Sequence, residues 1–329
     1  MISYLLQRLG QSLLVLFIVV IMAFLLFRFL GDPIVSILGA NSTGMQRDEL
    51  RRQMGLDAPL IVQFFEYLWQ TMRGDFGLSY RLGQPVARVL LERAPATIEL
   101  ATSGLLLALI IGIPAGIYTA IRGRSIASQL TLGVSLIGIS MPSFFMGMLL
   151  IWIFSINLGW LPSFGRGETV QLGWWSTGFA TRSGLAALVM PALTISVFQI
   201  AMIMRLVRAE MLQVMRMEYI RFAKARGLSS RSVYIHHALR NTLVPVITIT
   251  GLQFGSVIAF AAITESVFQW PGLGLLFLQS VAAADVPMLA AYLVLIAVVF
   301  VTINLLVDLS YYAIDPRIKT MAEQKGPAA

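Results

Sequence analysis

The chain has 329 residues, 57% of them hydrophobic and only 12% charged, where soluble domains carry about 25% charged residues. This composition excludes an ordinary soluble globular domain, and the absence of cysteine excludes disulfides, thiolate metal sites and thiol catalysis. The formal charge of +8 does not indicate nucleic-acid binding, because the basic residues are neither spread over a folded surface nor interleaved with aromatics.

The N-terminal run MISYLLQRLGQSLLVLFIVVIMAFLLF has the charge-then-apolar layout of a signal peptide. Its apolar part is longer than an h-region and no small-residue cleavage site precedes Arg28, so it is read as a retained first span. A helix needs about 20 apolar residues to cross a hydrocarbon core of roughly 30 Å. Six segments meet that length: Leu9 to Leu30, Ile98 to Ala120, Leu130 to Leu158, Leu185 to Met204, Thr242 to Ile263 and Val286 to Val307. Unpaired backbone groups are costly in lipid, so these runs are predicted to be helices and the protein an all-α polytopic membrane protein with six transmembrane helices. Gly112, Pro114, Gly138, Pro142, Pro191, Gly251 and Gly255 lie inside them, where small residues permit close packing and proline permits bends.

Residues 31–97 form a long connection carrying seven Arg and seven acidic residues. Helix-like pieces occur at Arg47 to Met54 and from Leu60, where Phe64, Phe65, Tyr67, Leu68 and Trp69 imply packing; a small ordered cap or interface-lying helix is expected. Later, TESVFQWPGLGLLFLQSVAAAD is broken at Pro271, Gly272 and Gly274 and reads as a re-entrant or surface-lying segment rather than a seventh span. Arg8, Arg122, Arg124, the basic loop after the fourth span, and Arg317, Lys319 and Lys325 of the tail fall on one side of the membrane. By the positive-inside rule that side is the cytosol, which places both termini there. The expected organisation is a cytosolic start and first helix over 1–30, an extracytoplasmic loop over 31–97, a five-helix core over 98–310 with a cytosolic loop at 205–241, and a tail over 311–329.

Little in the chain points to catalysis. His236 and His237 are sequence neighbours, which on a helix do not face one another, and no carboxylate cluster accompanies them. No GxxxxGK phosphate cradle occurs, so any energy source must be an ion gradient or a partner. Glu99, Glu265 and Asp308 lie near span ends and read as interfacial anchors, which leaves gradient coupling without a buried acid to carry it. Polar residues within apolar spans, Ser140, Ser143, Gln199 and Gln253, are the candidates for lining a pathway. No deep charged pair is evident within the apolar spans.

From Arg205 to Arg240 there are eight Arg or Lys against Glu210 and Glu218. The run from Met204 is helix-compatible up to Gly227, and a second helix can begin at Ser229 or Ser230. Ala223, Ala225 and Gly227 would give a docking helix a close fit, and Arg221, Lys224 and Arg226 an electrostatic rim. Binding of anionic lipid by an ordinary basic loop is the competing reading.

Here the sequence resembles the permease subunits of bacterial ABC importers. Arg221, Phe222, Ala223 and Gly227 occupy the Glu-Ala-Ala-x-x-x-Gly positions of their cytosolic loop, with Arg221 in place of glutamate and Phe222 in place of alanine, and Leu239-Arg240 stands near the usual Leu-Pro. These departures, with ARGL and HALRNTLVPV, are similar to the dipeptide/oligopeptide permease branch, which also includes nickel and glutathione permeases. Gly31-Asp32-Pro33, the run Met54 to Pro59, Gly74 to Ser79, Arg93 to Leu100, Pro142 to Phe144, Met190 to Leu193 and Phe268 to Gly274 extend the likeness along nearly the whole chain. The resemblance implies a type I ABC importer permease fold with a large extracytoplasmic loop between helices 1 and 2. It also implies a homologous second permease subunit, two cytosolic ATPase subunits docked over 221–227 and using ATP and magnesium, and an extracytoplasmic substrate-binding protein. The implied setting is the bacterial inner membrane. Peptides, nickel chelates, glutathione, opines and oligosaccharides all remain open as cargo, and a gradient-driven transporter and a non-transporting scaffold are the alternatives from other classes.

Overall fold

The computed structural model describes residues 2–29, 43–53 and 57–314. Gly31-Asp32-Pro33, Met54 to Leu56 and the basic tail after 314 lie outside the described residues. The helices are α1 (Ile2–Phe29), α2 (Gly44–Gln53), α3 (Leu60–Met72), α4 (Val86–Ile121), α5 (Ile126–Ser140) and α6 (Ser143–Leu150), the last continued by a π-helical stretch, Ile151–Asn157. A two-stranded hairpin, β1 (Val170–Leu172) and β2 (Trp175–Thr177), precedes α7 (Arg182–Val214) and α8 (Glu218–Ala225). A turn at Ser230–Ser232 and a π-helical stretch, Val233–Leu239, lead into α9 (Arg240–Phe260), α10 (Ala262–Val267), α11 (Leu273–Ala282) and α12 (Val286–Ile314).

Among the described residues, four helices, α1, α4, α7 and α12, are long and apolar enough to cross a membrane, and two bent pairs bring the number of spans to as many as six. The third span, expected over Leu130 to Leu158 with Pro142 able to bend it, is sharply broken: α5 and the α6 segment meet at 107°. Proline at 142 forces the residue before it out of the helical region, and Met141 is extended (φ −82, ψ 129). The fifth span bends by 45° between Leu243 and Pro245. Two spans exceed their expected limits, because α4 begins at Val86, within the segment expected to be loop, and α7 continues past Met204 to Val214. At ten residues, α11 is about 15 Å long and too short to be a seventh span. The antiparallel hairpin, which pairs Val170 with Thr177 and Leu172 with Trp175, is an addition to the expected all-α architecture.

Packing follows small residues. Along α4, Gly104, Ala108, Gly112 and Gly116 recur at intervals of four and let α7 approach closely; a Cβ at Gly116 would lie 2.7 Å from the Met204 carbonyl oxygen and 2.7 Å from Val207 Cβ. Gly255 of α9 likewise admits the Phe300 ring of α12. Helix α3 packs on α1 through Phe64 against Phe17 and Phe24, and Tyr67 against Phe24 and Phe27. It is thus ordered against the first span, and leaves Ile61, Phe65, Trp69 and Met72 exposed. Leu13, Leu14, Ile18 and Met22 of α1 and Leu130, Val134 and Ile137 of α5 are also exposed, which is the outward face of a bundle solvated by lipid or by another subunit.

Candidate functional site

At the end of the bundle that carries Arg122 and Arg124, α7 stops at Val214 and α8 starts after an extended Met217, with Glu218 in its first turn complementing the helix dipole. Gly227 (φ +78) terminates α8: Leu228 N–H donates to the Ala223 carbonyl and Gly227 N–H to that of Lys224, a glycine-dependent C-terminal cap. Ser229 Oγ then accepts from Ser232 N–H and starts the next turn. Ile220 and Ala223 are buried in one cluster with Val207, Met211 and Val214 of α7, Ala108 of α4, and Val233 and Ala238. Asn241 donates to the Tyr219 hydroxyl at 2.6 Å, which fixes α8 to the start of α9.

The expected docking residues therefore divide. Arg221, Phe222, Lys224, Ala225, Arg226 and Gly227 are exposed, and Phe222 is 65% accessible. Ala223 is not on that surface: its position on α8, three residues from Ile220, turns it into the core. Arg221 Nη1 donates to Glu218 Oε1 at 2.9 Å, and the Arg226 guanidinium lies 5.8 Å from the Phe222 ring centroid. His236 is exposed and His237 half-buried, and among the described residues no group of three or more His, Cys, Asp or Glu is placed to hold a metal.

A cavity of about 340 Å³ opens between α5, α6, α7 and α9. Ser143, Gln199 and Gln253 of the predicted pathway residues all line it, together with Thr194, Ser256 and Thr264. Ser140 faces a neighbouring groove with Pro142 and Phe145 instead, because the sharp bend between α5 and α6 separates it from Ser143. Among the described residues, no ionisable side chain lines the cavity.

The opposite end is held by buried charges that local sequence did not reveal. Arg166 Nη2 donates to Glu99 Oε2 at 2.6 Å, with the two side chains 6% and 2% exposed. The same guanidinium donates to the Ser176 carbonyl at 2.6 Å, tying the hairpin to α4. A deep charged pair thus exists, contrary to expectation, although both charges are used on each other rather than presented to cargo. Glu99 and Glu265 are fully enclosed rather than interfacial. Glu265 accepts from Thr97 Oγ1 at 2.6 Å and from Leu275 N–H at 2.8 Å, and burial raises its pKa above the ordinary carboxylate value. Asp308 is partly exposed and pairs with Arg8 at 3.2 Å. Asp285, not anticipated, accepts from Ser79 Oγ and from Tyr80 N–H, joining the first long connection to the start of α12.

Pro271 and Gly272 form the turn over Glu265, and Gly274 lies in the first turn of α11. A Cβ at Gly272 would overlap the Glu265 carboxylate, and one at Gly274 would lie 2.5 Å from Ala262 Cα. Trp270 Nε1–H donates to the Ala96 carbonyl at 2.9 Å, which pins the turn to α4.

A helical bundle with spans long and apolar enough to cross a membrane, bent spans and an internal cavity defines a polytopic membrane protein. Residues 112–320 match the family described as binding-protein-dependent transport system inner membrane component, and residues 1–101 match its N-terminal family. The chain belongs to this binding-protein-dependent transport permease family, and is a permease component rather than a catalytic one. It is 37% identical over 322 residues to a putative peptide transport system permease protein of Brucella abortus (strain 2308), covering 97% of this chain and 99% of that protein. It is also 37% identical over 320 residues to the glutathione transport system permease protein GsiC of Escherichia coli (strain K12), again covering 97% and 99%. In fold it is similar to an inward-facing MetNI methionine ABC transporter, with a TM-score of 0.55 at 18% identity over 69% of this chain and 96% of that one.

Proposed function

We propose that this chain is one of two homologous permease subunits of an ATP-driven importer that carries di- or oligopeptides across a bacterial inner membrane. Two ATPase subunits, using ATP and magnesium, bind the exposed face of α8 on the cytosolic side, where both termini also lie. An extracytoplasmic binding protein delivers cargo to the opposite end, near residues 31–97 and the Pro271 turn. The observation that carries the reading is the seating of α8: Ile220 and Ala223 share one core cluster with α4 and α7, so force applied to exposed Phe222, Lys224 and Arg226 reaches the helices beside the cavity. The peptide assignment draws on the relative named for peptide transport. Glutathione is a second reading, favoured by the equally similar Escherichia coli relative, and is itself a tripeptide.

The test is reconstitution of the complete complex in proteoliposomes. Uptake of labelled peptide is expected only with ATP, the ATPase subunits and the binding protein together. Uptake by this chain alone down an ion gradient would overturn the reading, as would purification from its native membrane without an ATPase.

A further inference from the structure

Gln199 lines the cavity, yet it is only 6% exposed and its side-chain carbonyl oxygen has no hydrogen-bond partner among the described residues. An unpaired buried amide opposes folding, and an apolar side chain of the same size in its place would not. Local costs of this kind concentrate where a site must meet a ligand. Gln253 of α9 lines the same cavity, with its Nε2 engaged by Met202 Sδ of α7.

We propose that the Gln199 carboxamide is a cargo contact, pairing with a backbone amide of a peptide as it passes through the cavity. This assignment rests on the peptide reading above. A peptide unit presents one N–H donor and one carbonyl acceptor, and a primary carboxamide offers the matching acceptor and donors, whatever side chain the peptide residue carries. The uncharged lining suits the interior of a peptide better than its ionised ends, because a charge moved there would lose hydration with no counter-charge to replace it. A volume of about 340 Å³ falls within the range of small-ligand sites, roughly 300–1,000 Å³. The cavity therefore recognises main chain and leaves selection among peptides to other parts of the transporter.

The complete complex with its binding protein, reconstituted in proteoliposomes, is compared with Gln199→Met and Gln199→Leu versions, using labelled trialanine as the probe. Each substitution is expected to lower trialanine uptake at saturating binding protein by about tenfold, the scale of one lost hydrogen bond. Each is also expected to raise the thermal unfolding midpoint of the purified permease, because an unpaired amide has been removed. Gln199→Asn, which keeps the amide, is expected to restore part of the uptake. Wild-type uptake of trialanine matched by both apolar variants would overturn the assignment alone. Failure of the unaltered complex to take up trialanine would overturn the peptide reading, and the amide contact with it.

Discussion

Substituting Arg166 by leucine removes the partner of a carboxylate that is 2% exposed. Glu99 would keep only the Gly178 N–H at 3.3 Å and the Trp175 indole N–H at 3.4 Å, both long for bonds to a charged acceptor. Breaking a buried pair from one side costs about 3–5 kcal/mol, and these two remaining donors set the expected loss near the lower end, about 3 kcal/mol. Replacing both members by leucine removes the stranded charge and should recover part of that loss, leaving about 1–2 kcal/mol for the Ser176 carbonyl and the Gly178 and Trp175 N–H groups that lose their partners. The measurement is a double-mutant cycle on the purified permease in mixed micelles, with denaturant unfolding followed by tryptophan fluorescence. A loss under about 1 kcal/mol for the single variant, or a double variant as unstable as the sum of the singles, would refute the view that the pair holds the hairpin to α4.

Gly116→Ala should cost about 1–3 kcal/mol in the same unfolding assay, because its Cβ would meet both the Met204 backbone and Val207; Gly133→Ala, with nothing within 4 Å, should be close to neutral. Gly227→Trp combines a left-handed backbone position, about 1–2 kcal/mol of strain, with a side chain directed into open space. It should abolish transport and co-purification of the ATPase while leaving membrane abundance unchanged, and undiminished ATPase binding would count against the docking role of α8. Because burial raises the Glu265 pKa, the folded protein holds this proton more tightly than the unfolded chain. Its contribution to stability is therefore full below the ordinary carboxylate range and is lost as pH rises through the folded value. Thermal unfolding followed upward in pH from the ordinary carboxylate range should show that decline, and Glu265→Gln should flatten it.

What could be read in advance depended on how local the cause was. Helix α3 follows from Pro59 ahead of an aromatic-rich amphipathic run, and it occurs over the residues anticipated. The cap at Gly227 and the turn at Ser229 are likewise local chemistry, and both were legible. Pro142 marked a place where the third span could bend, but its sequence carried no measure of the angle, which is 107°. Gly173 (φ +64), between Leu172 and Trp175, is the kind of glycine that closes a two-residue hairpin, a signal that went unread in a connection between two spans. The Glu99–Arg166 pair joins residues 67 apart, and no periodicity in either segment announces the other. The gathering of Ser143, Gln199 and Gln253 was foreseeable only as a set of polar exceptions, because the cavity that unites them depends on the angle between α5 and α6.

Helix α7 is a single rod of 33 residues, about 50 Å long, with Pro191 as its one internal proline. Met211 and Val214 near one end meet the buried face of α8, and Gln199 sits about 22 Å away along the same rod. A tilt of about 10° pivoting near Val214 would carry Gln199 through roughly 4 Å, more than the length of a hydrogen bond. Under the proposed function this helix would act as a lever, in which a small rotation at its foot would be enough to make or sever contact with cargo in the cavity.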